Sequence, residues 1–195
     1  MPPADARFFF DFVDPLSWLV ERALAELEAA GGPRVQRVGL ELRPPPAELT
    51  RPSDPLWAER WEAARTAAPD VRFEPPPVVP WTRKAHELHA FAERHQGGAS
   101  VRGGIFQAYF ERGRDIGRVD ALVEIAAASG LDRTEARAAL DVDAYLEAVL
   151  GAERGAAELG IARLPALLVD GRLVQGFHNL RDLSTLLDGP PGGGR

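Results

Sequence analysis

The stretch RFFFDFVDPLSWL, residues 7–19, decides the fold because it passes directly from a strand into a helix. Its first half, residues 7–13, is an apolar run rich in aromatic side chains, which indicates a strand buried on both faces. Asp14 then suits a helix N-cap, and Pro15 suits the first helical position. Apolar residues recur at helical spacing from Leu16 to Leu27, so we expect a helix to follow the strand at once.

A second strand is predicted after this helix. The sequence GGP at residues 31–33 ends the helix, and alternating apolar residues then run from Val35 to Leu42. Three prolines at residues 44–46 terminate that strand. The resulting β-α-β unit is short, which favours a parallel, right-handed crossover of the kind that begins a thioredoxin fold.

The rest of the chain predicts a helical block followed by a hairpin. Triple prolines at residues 44–46 and 75–77 flank a predicted helix that carries two tryptophans. The predicted helices are residues 55–68, 82–95, 101–112, 119–128, 133–140 and 143–159. A hairpin is predicted from residues 166–169 and 173–175 around the Asp170-Gly171 turn. Asn179 is expected to cap a last helix at residues 180–187.

This order of elements predicts an α/β protein, a thioredoxin fold with a helical domain inserted after the second strand. The thioredoxin-like domain would comprise residues 7–43 and 143–188. The inserted helical domain would comprise residues 44–142. Residues 189–195 have the composition of a disordered tail.

The composition excludes several functional classes. The 195 residues contain no cysteine, which rules out a disulfide framework, a thiolate metal site and a cysteine nucleophile. Only four histidines are available as metal ligands, so no metal site is expected. The net charge is −6 with both signs interleaved, so no nucleic-acid partner is expected. The N-terminal apolar run is too brief for a signal peptide or a membrane span, which predicts a cytoplasmic protein without a membrane partner.

Three segments resemble DsbA-like proteins. Residues 11–19, DFVDPLSWL, resemble the active-site segment D-x-x-C-P-x-C, with Asp14 and Ser17 at the two cysteine positions. Residues 160–171, GIARLPALLVDG, resemble the segment that carries the family's cis-proline, which would be Pro165 here. Residues 82–140 resemble the helical insertion of FrnE-like proteins, and the match at AHEL, residues 85–88, implies that His86 faces the active-site groove.

The same region is similar to a serine-containing branch of this superfamily. Pro15, Ser17, Trp18 and Leu19 match the S-P-x-S-[YW]-L motif of 2-hydroxychromene-2-carboxylate isomerases and kappa-class glutathione transferases. Asp14 stands at the position of the first serine. The resemblance therefore implies a protein that cannot exchange dithiols and disulfides, and that keeps a groove between helix start and cis-proline loop.

The groove would bind a small molecule, glutathione or an extended peptide. A second copy of the chain, in a homodimer, is a further candidate partner. The alternative is a glutathione-dependent isomerase or transferase, in which Ser17 and the helix N-terminus activate the thiol that glutathione brings. A structural interaction module is a third possibility. Glutathione is the one cofactor that the resemblance suggests.

The candidate site residues follow from these motifs. The catalytic candidates are Asp14 and Ser17, and the substrate-binding candidates are Pro15, Trp18, His86, Leu164 and Pro165. As an N-cap, Asp14 would accept a hydrogen bond from Leu16 or Ser17, which should lower its pKa and make it a poor acid or base near neutral pH.

Two further groups have a functional and a packing interpretation. His86 and His89 lie three residues apart on one helix face, the minimum for a metal pair, although packing or solvent exposure is the better interpretation. Trp57, Trp61 and Trp81 could line a hydrophobic cleft between the domains, whereas aromatic residues on helices usually pack in a core.

Overall fold

The computed structural model describes residues 5–176 and 179–187, and its strands form a single four-stranded sheet in this part of the chain. The strands are β1 (Ala6–Phe10), β2 (Gln36–Gly39), β3 (Ala166–Val169) and β4 (Arg172–Gln175). Their order is β2-β1-β3-β4, with β1 parallel to β2 and antiparallel to β3, and with β3 antiparallel to β4. This confirms the predicted α/β thioredoxin fold.

The described helices lie close to their predicted positions. They are α1 (Pro15–Ala29), α2 (Pro55–Ala67), α3 (Arg83–Arg94), α4 (Gly98–Phe110), α5 (Val119–Ala128), α6 (Arg133–Asp141), α7 (Leu146–Glu158) and α8 (Leu180–Leu187). Helices α2 to α6 lie in sequence between β2 and α7, where the helical insertion was expected. The predicted tail, residues 189–195, lies outside the described residues. No helix within residues 5–176 and 179–187 is both long and apolar enough to cross a membrane.

Several boundaries differ from the sequence prediction by one to three residues, and two of these differences have a clear local cause. Strand β1 ends at Phe10, because the chain turns at Asp11, whose carbonyl accepts a hydrogen bond from the Asp14 N–H at 3.2 Å. Helix α7 begins at Leu146 instead of residue 143, because Asp143 has a positive φ of 54°, which no α-helix accommodates. The predicted N-cap of α8 is confirmed, since Asn179 Oδ1 accepts from the Asp182 N–H at 3.0 Å.

Strand β1 is buried on both faces, as its apolar run predicts. On one face Phe8 and Phe10 stack with centroids 5.5 Å apart, and Phe12 beyond the strand meets Phe10 edge-on at 5.1 Å. On the other face Phe9 packs in a second cluster that includes Leu164. The central strand therefore anchors both the helical layer and the loop before β3.

The tryptophans of the inserted segment serve mainly in packing. Trp57 and Trp61 are 2% and 3% exposed and belong to the main core. The Trp61 ring meets Phe73 and Phe110 edge-on. Trp81 differs, because it is 39% exposed and its indole N–H donates to the Ala47 carbonyl at 2.7 Å.

Close packing of His86 against β2 leaves no free space for a side chain at Gly39. A Cβ added at Gly39 would lie 2.1 Å from His86 Nδ1. We expect Gly39→Ala to lower the free energy of unfolding by about 1–3 kcal/mol, measured by urea denaturation. Gly103→Ala in α4 is the matched control: its added methyl meets nothing within 4 Å, so stability should stay the same or rise by about 0.5–1 kcal/mol. Equal stability of the Gly39 variant and the wild type would contradict this packing.

Candidate functional site

Helix α1 begins with the cap that the sequence predicts. Asp14 is extended, with φ −88° and ψ 113°, and its Oδ2 accepts from the Ser17 N–H at 3.0 Å. Its carbonyl oxygen accepts from the Trp18 N–H at 3.1 Å. Pro15 occupies the first helical position, where the missing N–H costs nothing. The Asp14 side chain therefore satisfies the Ser17 N–H, one of the backbone donors that the start of the helix would otherwise present to a ligand.

The Ser17 hydroxyl also makes its hydrogen bonds to groups within the protein. It donates to Asp14 Oδ2 at 2.6 Å and accepts from the Asp11 N–H at 3.4 Å. Both Asp14 and Ser17 are completely buried. The two catalytic candidates are thus in direct contact with each other, and neither side chain is open to solvent.

Arg60 belongs to the candidate site, although the sequence did not single it out. It comes from α2, and its Nη1 donates to Asp14 Oδ1 at 2.8 Å and to the Leu164 carbonyl at 3.0 Å. The Leu164–Pro165 peptide bond is cis. One nitrogen atom therefore joins the start of α1, the inserted segment and the loop before β3. No sequence signal distinguishes Arg60 from the many other arginines of the chain.

Burial reverses the expected titration of Asp14. Desolvation raises the pKa of Asp14 above its ordinary value, although the charge of Arg60 and the hydrogen bonds from Ser17 and Arg60 act to lower it. The expectation of a lowered pKa is therefore wrong. Capping does favour the carboxylate, but that expectation assumed a solvated helix end, whereas this cap is fully enclosed.

Leu164 has unusual main-chain hydrogen bonding. The neighbouring N–H groups of Ala162 and Arg163 donate to Gln175 Oε1 at 2.8 Å each, and the Pro165 carbonyl accepts from the Gly176 N–H at 2.8 Å. The Leu164 carbonyl has Arg60 as its partner. The Leu164 N–H has no acceptor among residues 5–176 and 179–187.

Two other candidates, His86 and Trp18, lie in the protein interior behind this site. His86 is 3% exposed, and its Nε2 lies 3.3 Å from Asp11 Oδ1, whose second oxygen accepts from the Leu42 N–H at 2.6 Å. His86 thus supports Asp11, whose N–H in turn bonds Ser17. The Trp18 ring stacks on Phe110 at 4.9 Å and is 3% exposed, so it packs in the core.

The two histidines of α3 have different polar partners, although both rings pack against Phe10 and Phe12. His89 Nε2 lies 3.1 Å from Glu93 Oε1 and 3.3 Å from Arg102 Nη1. Burial, with a further contribution from Arg102, lowers the pKa of His89. Within the part of the chain that the structure describes, no three potential ligands cluster in a way that could hold a metal ion.

Comparisons with known proteins agree with the fold. A family model described as the DSBA-like thioredoxin domain matches residues 6–188. The uncharacterised protein YwbO of Bacillus subtilis (strain 168) is 25% identical over 177 residues, which are 87% of this chain and 88% of that protein.

Three solved structures are similar to this chain. At their level of sequence identity the likeness shows the fold and nothing further. A probable DsbA oxidoreductase from Streptomyces coelicolor is 24% identical with a TM-score of 0.74, over 91% of this chain and 85% of that one. A 2-hydroxychromene-2-carboxylate isomerase is 16% identical with a TM-score of 0.72, over 88% of each chain. The cytosolic disulfide reductase DsbM from Pseudomonas aeruginosa, solved with GSH, is 17% identical with a TM-score of 0.66, over 87% of this chain and 88% of that one.

The hydroxyl of Ser17 should stabilise the protein in a pH-dependent manner. We expect Ser17→Ala to lower the free energy of unfolding by about 1–3 kcal/mol at neutral pH, because it removes a bond to a carboxylate and leaves the Asp11 N–H unpaired. The hydroxyl favours the ionised form of Asp14. Its loss therefore raises the folded-state pKa of Asp14 further above the unfolded value, and stability falls as pH rises.

Urea denaturation at acidic and neutral pH measures this effect, with the exposed Ser100→Ala as control. The loss in Ser17→Ala should be smaller at acidic pH, where Asp14 is protonated. An equal loss at both pH values would show that the hydroxyl does not act on the Asp14 carboxylate.

Proposed function

The chain belongs to the DSBA-like thioredoxin domain family and contains no cysteine, and from these facts we propose that it binds a short peptide-like ligand, such as glutathione, without exchanging disulfides itself. The proposed site is the main chain of Leu164 beside the start of α1. The observation behind this proposal is that the Leu164 N–H has no acceptor among the described residues and that its carbonyl is held by an arginine side chain.

Such a main-chain segment suits an extended ligand. A peptide that lies alongside an unpaired stretch of backbone gains main-chain hydrogen bonds in both directions, as in strand addition. Leu164 offers one donor directly, and its carbonyl oxygen, which accepts from Arg60, keeps a second lone pair for the ligand. The loop on either side is tied to Gln175 and Gly176, so the backbone is held ready for the ligand.

The chemistry available at the site argues against dithiol exchange. Exchange requires a thiolate nucleophile, and the chain has no cysteine to supply one. Asp14 stands at the position of the family's attacking cysteine and is already bonded to Ser17 and Arg60. Any thiol at this site would therefore come from the ligand. Glutathione is a cytosolic thiol, so the proposal also places the protein in the cytoplasm.

A glutathione-dependent isomerase or transferase is the second candidate. The match of Pro15, Ser17, Trp18 and Leu19 to the serine-containing motif favours it. The Ser17 hydroxyl would first have to leave Asp14, to which it donates at 2.6 Å, before it could bind a ligand thiol. Binding without catalysis requires no such rearrangement, and we therefore prefer it.

Glutathione binding should be detectable both by thermal stabilisation and at the Leu164 amide. We expect millimolar glutathione to raise the melting temperature in a concentration-dependent way, because the ligand binds the native state only. In an NMR titration the Leu164 amide proton should move downfield as it gains an acceptor. The Val123 amide is the internal control, since it lies in α5, whose principal helix contacts are with α3, α4 and α6.

A melting temperature that is unchanged at millimolar glutathione, together with an unmoved Leu164 amide, would rule out this function. A shift confined to amides remote from Leu164 would rule out the site.

A further inference from the structure

We propose that the inserted segment holds a second binding site, a pocket beside Trp61 that takes a small apolar carboxylate and binds its charge through Arg65. The pocket lies between the C-terminal half of α2 and the chain that follows this helix, residues 68–75. Leu164 is not among the residues that line it. The site is therefore separate from the one proposed for a peptide-like ligand and does not depend on that function.

The pocket has the size and the walls of a small-molecule site. Its volume is about 530 Å³, within the range of roughly 300–1,000 Å³ that is typical of such sites. Because proline rings restrict the backbone, these walls lose little freedom when a ligand binds. An apolar ligand is stabilised by burial of its surface here. The apolar side chains of the wall are Pro52, Pro69, Pro75, Val71, Phe73 and Trp61.

The wall opposite α2 is held in place by the rest of the fold. Residues 68–75 form neither helix nor strand, but the Val71 N–H donates to the Ala68 carbonyl at 3.1 Å. The Glu74 N–H donates to the Phe110 carbonyl of α4 at 2.6 Å. These bonds fix the segment against α2 and α4, so the pocket is formed before any ligand binds.

The charge of the pocket selects an anion. Arg65 is the one charged residue among those that line it. Arg65 is exposed, lies one helical turn after Trp61, and has its guanidinium carbon 5.8 Å from the centre of the indole ring. Within the part of the chain that the structure describes, Arg65 forms no ion pair. An arginine without a carboxylate partner beside an apolar pocket favours a ligand that supplies the carboxylate.

A second arginine–tryptophan pair shows why the acids matter. Arg22 of α1 lies over Trp18, with its guanidinium carbon 5.3 Å from the ring centre. The groove that Arg22 lines also contains three glutamates, Glu21, Glu28 and Glu111. That groove therefore does not attract an anion, whereas the pocket on α2, which no acidic residue lines, does.

The Trp61 indole N–H is a second group that needs a ligand. Trp61 is 3% exposed, and its Nε1 has no hydrogen-bond partner among residues 5–176 and 179–187. The other two tryptophans of the inserted segment have acceptors: Trp57 donates to Thr50 Oγ1 at 2.9 Å, and Trp81 donates to the Ala47 carbonyl at 2.7 Å. A buried N–H without an acceptor is unfavourable, and a ligand oxygen would satisfy it.

Calorimetric titration with two matched probes isolates the charge. The probes are 1-naphthylacetate and its uncharged amide, 1-naphthylacetamide, which share the same apolar body. We expect the wild type to bind the acid at least about tenfold more tightly than the amide at low salt. High salt should reduce this preference, because it screens the partly exposed guanidinium.

Two arginine variants and one NMR signal localise the effect. Arg65→Gln should lower the affinity for the acid to that for the amide. Arg22→Gln is the matched control, because it also removes an exposed arginine that lies over a tryptophan, and it should keep the preference. When the acid binds, the Trp61 indole proton, assigned with Trp61→Phe, should move downfield. The Trp81 indole proton already has an acceptor and should move little.

The wild-type titrations decide the question even where a variant fails to fold. Absence of binding of the acid at millimolar concentration, or equal affinities for acid and amide, would overturn the proposal. A folded Arg65→Gln variant that keeps the preference, or an equal loss in Arg22→Gln, would show that the acid does not bind at Arg65. An unmoved Trp61 indole proton at saturation would likewise exclude this pocket.

Discussion

The Asp14 carboxylate is fully buried, and the need to satisfy it determines how three separate segments of the chain meet. One oxygen caps α1 through Ser17, and the other accepts from Arg60 of α2. The same arginine nitrogen bonds the carbonyl of Leu164 before β3. Removal of either charged partner would leave the other poorly compensated, which is why these residues act as one unit.

A second layer of buried polar groups holds α1 in its place against the sheet. Asp11 accepts from the Leu42 N–H and faces His86, so it ties the end of β1 to the chain after β2 and to α3. Further along α1, the Glu21 carboxylate lies between Arg37 of β2 and Arg102 of α4, at 3.0 Å and 2.7 Å. These pairs fix the helix relative to the strand and the inserted helices, so the Asp14 cap meets Arg60 in one defined geometry.

The elements of this fold were predictable because their signals are local. The buried run at residues 7–13, the Asp14-Pro15 helix start and the Asp170-Gly171 hairpin turn each depend on a few adjacent side chains. Arg60 was not predictable, because its partners lie 46 and 104 residues away in sequence and arginine carries no positional pattern. The pKa of Asp14 was misjudged for a related reason: its direction depends on how completely the folded chain encloses the cap, which local sequence does not specify.

The coupling between Asp14 and Arg60 can be measured directly by a double-mutant cycle. Asp14→Asn, Arg60→Gln and the double variant are compared with the wild type by urea denaturation at neutral pH. Because Arg60 is partly exposed, solvent screening reduces the interaction, and we expect a coupling free energy of about 1 kcal/mol or more. The cycle cancels the separate cost of burying the Asp14 charge. Effects that add to within about 0.3 kcal/mol would show that the two residues are independent, and would contradict the central role of this ion pair.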